Sequence, residues 1–310
     1  MPHRPWLHMV LPALPLWLLA SALTGCLMCE DPEPIVYTLR APEPASHLLE
    51  VEAAVPTGGR EGVELMMAVW SPGYYKREDY ATHLRDLVAR SPKGAELEVE
   101  TTAPNRWRIA TGGAKEVVVS YRLLCEGSSV TTNWVSEDYA VINGPATFLT
   151  LAGDRPRPHD VRLELPPSWP RVATALPQVR VGLETRYRAA DYDTLADSPI
   201  LAGGLALREF EVEGSRHLLV HAGDWQGFPE DRAVEDLERV VRGTREFWGF
   251  LPFERYVFLN VHREAGGGLE HKDSTLVNVA PSRLETPEGY RAWVGLTAHE
   301  YLHAWNVKRL

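Results

Sequence analysis

Residues 299–303 read His-Glu-Tyr-Leu-His, an H-E-x-x-H pattern. In a helix, histidines four apart stand one turn above the other, so His299 and His303 can both reach one zinc ion. Glu300 beside them is placed to act as general base on the water that such an ion activates, a combination suited to hydrolysis. The competing reading is an amphipathic helix with two solvated or core histidines. His217 and His221 are also four apart, but they sit in a strand-like segment where that interval spans about 13 Å, too far to share a metal. With His47, His83, His159 and His262 they are read as structural.

The elements that must hold these groups follow from periodicity. Thr286 is an N-cap with Pro287 at the first helical position, and Tyr290, Trp293, Val294, Thr297, Ala298, Tyr301, Leu302 and Trp305 mark the buried face of the motif helix. An earlier helix starts after Pro229, with Glu230 and Asp231 in its first turn, and runs to Gly249. Strands over 255–261 and 274–279 flank the Gly-rich turn Gly266-Gly267-Gly268. Upstream the period is mostly two, with strands predicted over 47–55, 63–70, 96–100, 105–110, 117–121, 160–165, 206–212 and 217–221. Short strands separated by Gly, Pro and Asn turns read as an all-β sandwich over 35–223, with brief helices around 78–89 and 191–196. Residues 224–310 then form a second, α/β domain.

The 310 residues carry 42 acidic and 32 basic side chains, a net charge of −10. A nucleic-acid partner is therefore not expected, because phosphate binding needs clustered Lys and Arg. Residues 9–23 form an apolar run after Arg4, too short for a membrane span and interrupted by Pro12 and Pro15, which reads as an export signal over 1–25. Leu23-Thr24-Gly25-Cys26 resembles the bacterial lipobox, in which Cys26 is acylated; residues 26–34 then tether the fold to a membrane at the periplasmic side of the cell envelope. Ala20-Ser21-Ala22 offers an ordinary cleavage site instead, which would leave Cys26 and Cys29 as an oxidisable pair. Cys125 reads as a buried structural thiol, and Trp70, Trp107, Trp134, Trp169, Trp225 and Trp248 as core or turn anchors.

The stretch Gly267-Gly268-Leu269-Glu270-His271, followed about thirty residues later by His299-Glu300-Tyr301-Leu302-His303-Ala304-Trp305-Asn306-Val307-Lys308-Arg309, closely resembles the glycyl aminopeptidase family of zinc metallopeptidases, family 61 of that class. Trp70-Ser71-Pro72-Gly73-Tyr74, Asp191-Tyr192 with Leu195, Asp197 and Pro199, and Leu251-Pro252-Phe253 with Arg255 and Tyr256 resemble further landmarks in the same order. The resemblance implies a β-rich N-terminal domain, a thermolysin-like catalytic domain and a C-terminal PDZ domain. It implies His299 and His303 as zinc ligands, Glu300 as general base, and peptide substrates with small N-terminal residues such as Gly or Ala. Gly267, Gly268, Leu269, Glu270 and His271 would form the substrate-binding segment. There the Glu270 carboxylate either binds the free α-amino group or, with His271, only holds an edge strand to the motif helix.

A catalytic zinc needs three protein ligands and an open position. The family's third ligand is a glutamate on a later helix, and no residue up to Leu310 matches it. The expectation is a truncated product in which Trp293, Leu302 and Trp305 lack half their packing partners, zinc binds weakly and peptidase activity is slight. Endopeptidase action, and a non-enzymatic envelope lipoprotein that binds peptides or partners beside a remnant zinc helix, are the alternatives.

Overall fold

The computed structural model describes residues 32–153 and 155–310. The expected leader, the Cys26 anchor and most of the tether lie outside the described residues. Apolar-polar alternation over Leu48–Pro56 and Glu116–Leu124 sends one row of side chains inward, and these strands pair antiparallel along their whole length. They form the middle of an eight-stranded sheet, with Ile35–Arg40 and His159–Glu164 as a parallel pair on one side and Leu84–Arg90 on the other. Leu49, Val51 and Tyr121 share a buried cluster with Leu65, Trp107 and Ile109 of a four-stranded sheet, so a β sandwich forms as the periodicity predicts. A further four-stranded sheet joins Arg171–Thr174, Ile200–Gly203, Tyr139–Ile142 and Trp134–Val135.

Several expectations need correction. Residues 78–89 do not form a helix; a short 3-10 turn, Tyr80–His83, leads into the strand Leu84–Arg90. Pairing with the otherwise open edge of Glu116–Leu124 outweighs the local pattern, and a bulge with Asp86 at φ +54° absorbs the misfit in register. The expected helix near 191–196 does form, as Tyr192–Ala196, with the Asp191 carboxylate accepting the Thr194 N–H at 2.7 Å.

Second, Ala206–Val212 and Ser215–Gly223 are strands, but they do not belong to the sandwich. Both lie in a five-stranded sheet with Arg255–His262, Ser274–Val279 and, at the edge, Gly267–Glu270. Alternation shows that a segment is extended and not which sheet receives it, so the chain changes sheet near residue 205, before its period changes. The helix Glu230–Trp248 makes the crossover between the parallel strands Ser215–Gly223 and Arg255–His262, and ends at Gly249 with φ +85°.

The strand Arg255–His262 is buried on both faces, as a central parallel strand should be. Val257, Leu259 and Val261 pack towards Val141, Ala173 and Leu201, which joins the sheet to the upstream β region through one apolar core. Tyr256 and Phe258 face the two helices, in a core with Leu237, Val241, Trp293 and Trp305. That core corrects the expectation of unpartnered tryptophans: Trp293 and Trp305 are 2% and 1% exposed. Trp293 packs on Phe228 and donates its indole N–H to Asn260 Oδ1 at 2.9 Å, while Trp305 stacks on Trp248 and packs edge-on against Phe253. Leu302 is half-buried. The partners come from the preceding helix, the residues after it and the sheet beneath. Cys125 is buried as expected, and burial pushes its thiol up to about 12, which leaves it unreactive.

Burial holds His159, His217 and His262 down to about 4, and His221 to about 3. The unfolded chain takes up these protons near pH 6.5, before the folded one does, so stability is full above that pH and falls as pH drops towards 4. Each such histidine costs about 1.4 kcal/mol per pH unit in that window. Thermal unfolding followed from pH 7.5 to 5 is expected to show a level Tm down to about 6.5 and a steep decline below it. A Tm that stays level to pH 5 would contradict the assignment.

Candidate active site

The motif helix forms as Pro287–Leu302, with the Thr286 hydroxyl accepting the Gly289 N–H at 3.0 Å. Helical spacing then brings His299 and His303 together at its last turn, where their Nε2 atoms lie 3.1 Å apart. His303 donates its Nδ1–H to the Asn306 carbonyl at 2.9 Å, which leaves its Nε2 lone pair aimed at His299. Ligand atoms of His299, Glu300 and His303 all lie within 4.8 Å of one another, and among the described residues they form the one such group. Two imidazoles converging on a point beside a carboxylate are a donor set that fits zinc.

Glu300, unlike its exposed neighbour His299, is buried, at 5% exposed. It fits there because the facing residue is Gly268: a Cβ at that position would fall 2.4 Å from Glu300 Oε1 and 2.7 Å from its Cγ. On a strand, residues two apart share a face, so Glu270 stands in the same row as Gly268 and is 6% exposed. Burial, together with the charge of Glu270, pushes the Glu300 carboxyl up to about 7, a range in which a carboxyl both takes and gives a proton near neutrality.

The rest of the predicted segment divides between faces. Leu269 turns its side chain into the apolar core on the opposite face of the sheet, so it can meet a ligand only through its backbone. Gly267 lies at the exposed start of the edge strand with φ +118°. His271 is buried and its Nδ1 bonds the Asp197 carboxylate of the upstream β region at 2.9 Å, not a residue of the motif helix. His217 and His221 do not share a partner: His217 bonds Tyr301 Oη at 3.1 Å, and His221 pairs with His262 at 2.8 Å. That second histidine pair was not legible, since its members are 41 residues apart on neighbouring parallel strands.

A β sandwich leading into an α/β sheet, with H-E-x-x-H on the helix that covers it, is a metallopeptidase-like architecture. The model of the peptidase M61 N-terminal domain matches residues 36–204, more than half of the chain, and the chain belongs to the peptidase M61 family. The match ends where the chain enters the five-stranded sheet. The crystal structure of an aminopeptidase N family protein from Idiomarina loihiensis is similar, with a TM-score of 0.80 and 29% identity over 88% of this chain and 48% of that one. The chain thus spans about half the length of that relative. Legionella pneumophila aminopeptidase A, solved with aspartic acid, has a TM-score of 0.57 at 13% identity, covering 88% of this chain and 34% of its own. An M1 zinc metallopeptidase from Deinococcus radiodurans has a TM-score of 0.50 at 14% identity, covering 89% and 64%. These last two share the fold. Among curated proteins, none matches the chain.

A titration with Zn2+ distinguishes the histidines. His299→Ala and His303→Ala are each expected to weaken uptake at least tenfold, by loss of one of two imidazole ligands, while His83→Ala on the exposed surface leaves it unchanged. Equal uptake by all three variants would rule this centre out.

Proposed function

We propose that the chain carries the zinc-holding part of an aminopeptidase that releases small N-terminal residues such as Gly or Ala from peptides. The observation that carries this reading is the convergence of the His299 and His303 Nε2 atoms beside the buried Glu300, with Glu270 in the row that faces it. Aminopeptidase is also the word in the names of two of the similar structures, although the preference for small residues rests on the family resemblance alone.

His299 and His303 would hold zinc, which when bound acidifies water and polarises a carbonyl. Glu300 takes the proton of an attacking water on its carboxylate and delivers it to the departing amine. Glu270 accepts hydrogen bonds from the α-ammonium of the substrate, a charge-assisted contact that a blocked N-terminus cannot make. With the free amine held there, the peptide bond that reaches Glu300 is the first one. This selects a substrate by position, and endopeptidase action would need Glu270 to be idle.

Two expectations follow for zinc-loaded protein acting on alanyl p-nitroanilide. Glu300→Gln lowers kcat by about 10³-fold with zinc uptake intact, and N-acetylation of the substrate abolishes turnover. Turnover that survives Glu300→Gln would sink the general-base role, and cleavage of the acetylated substrate would favour an endopeptidase. With two imidazoles at the centre, the 310 residues alone are expected to turn over slowly; one tightly held zinc with robust turnover would overturn that.

Gly268→Ala tests the seat of Glu300. The backbone there suits any residue and the new Cβ meets the flexible end of a carboxyl side chain, so Tm is expected to change little. Activity is expected to fall on the order of 10²-fold, as for a misplacement of about 1 Å. Unchanged kcat would show that Glu300 works from elsewhere.

A further inference from the structure

An edge strand is hydrogen-bonded on one side only, so the position of Glu270 has to be fixed from outside the sheet. Two contacts from the upstream β region do this. The first is Asp197, just after the short helix Tyr192–Ala196. Its Oδ1 accepts from His271 Nδ1 and from Lys308 Nζ, both at 2.9 Å, and its Oδ2 accepts from the Lys272 N–H at 2.9 Å. One carboxylate, 13% exposed, therefore ties the residues directly after Glu270 to the segment directly after His303. Burial acts to raise the Asp197 carboxyl, but the bonds and charges of His271 and Lys308 outweigh it and hold the group below the usual carboxylate range.

The second contact is Gly73, at φ +82° in the turn closed by the Tyr74 N–H on the Ser71 carbonyl at 3.0 Å. A Cβ on Gly73 would fall 2.5 Å from Glu270 Oε1 and 2.6 Å from its Cδ. Bare backbone thus lies flush against the carboxylate and closes off one side of it. Neither contact touches the histidine pair.

We propose that the β-rich upstream region sets the amine-reading carboxylate: Asp197 is a positioning residue that fixes Glu270 relative to His299 and His303, and Gly73 is the wall against which that carboxylate rests. The proposal rests on the reading of Glu270 as the receptor for a free α-amino group. Its consequence is that selection of a free N-terminus depends on residues outside the sheet and helix that hold the metal.

The test is equilibrium binding of alaninamide and of N-acetylalaninamide to the whole chain in saturating Zn2+, which needs no turnover. The native chain is expected to prefer the free amine at least tenfold, and Glu270→Gln to erase the preference. Asp197→Asn and Gly73→Ala are each expected to reduce it at least fivefold with zinc uptake unchanged. Asp191→Ala, which removes the side-chain cap of the same short helix and leaves Asp197's own hydrogen bonds in place, is expected to retain it, and this separates positioning from general loosening of the helix. Near-UV circular dichroism reports folding, and if one of the two key variants does not fold the other decides. Retention of the preference in Asp197→Asn and Gly73→Ala, with loss in Glu270→Gln, would overturn the positioning role and leave the reading of Glu270 standing. No preference in the native chain, or none lost in Glu270→Gln, would remove both.

Discussion

Glu300 can be buried beside the histidine pair only because residue 268 has no side chain. Any larger residue would place its Cβ against the Glu300 side chain, so the seat of that carboxyl depends on that glycine. Much else in the structure serves this contact. Trp293 fastens the helix to the sheet below by a hydrogen bond to Asn260, and Trp305 fastens the end of the motif to the preceding helix and the segment after it by packing on Trp248 and Phe253. The strand Arg255–His262 is apolar on its other face, where it meets the four-stranded sheet of the upstream region, so helix, sheet and β region rest on continuous packing. A carboxylate placed with such constraint is suited to moving a proton at a fixed distance.

The molecule holds two pairs of converging imidazoles, and their surroundings differ. His221 and His262 are 2.8 Å apart and buried against Phe228, whose ring centre is 4.6 Å from that of His221. Among the described residues no carboxylate groups with them, and burial keeps both neutral far below pH 6.5. His299 and His303 stand at the end of a helix, one exposed and one half-buried, with Glu300 among them. Proximity of imidazoles is common to both pairs. Access and a neighbouring carboxylate belong to one.

What was legible in the sequence was whatever depends on local spacing. Thr286 and Pro287 announce the motif helix, and the interval between His299 and His303 announces their convergence. Alternation locates the long, regular strands well, as at Ala206–Val212 and Ser274–Val279, and passes over short ones such as Tyr139–Ile142 and Ile200–Gly203. What was not legible depends on partners distant in the chain. Leu84–Arg90 becomes a strand because Glu116–Leu124 has an edge to fill. Ser215–Gly223 joins the five-stranded sheet because Arg255–His262 is there to receive it. Gly73 and Asp197 stood in landmark motifs, yet nothing in their spacing says that both reach the strand carrying Glu270, since their partners lie 197 and 74 positions away at Glu270 and His271. The tryptophans of the motif helix looked stranded for the same reason: their partners precede the helix.

The most direct test is a crystal of the protein soaked in Zn2+, with anomalous difference maps recorded on either side of the zinc edge. One peak is expected, between the Nε2 atoms of His299 and His303 and within reach of Glu300. A peak at His221 and His262, or none at His299 and His303 under saturating zinc, would contradict it.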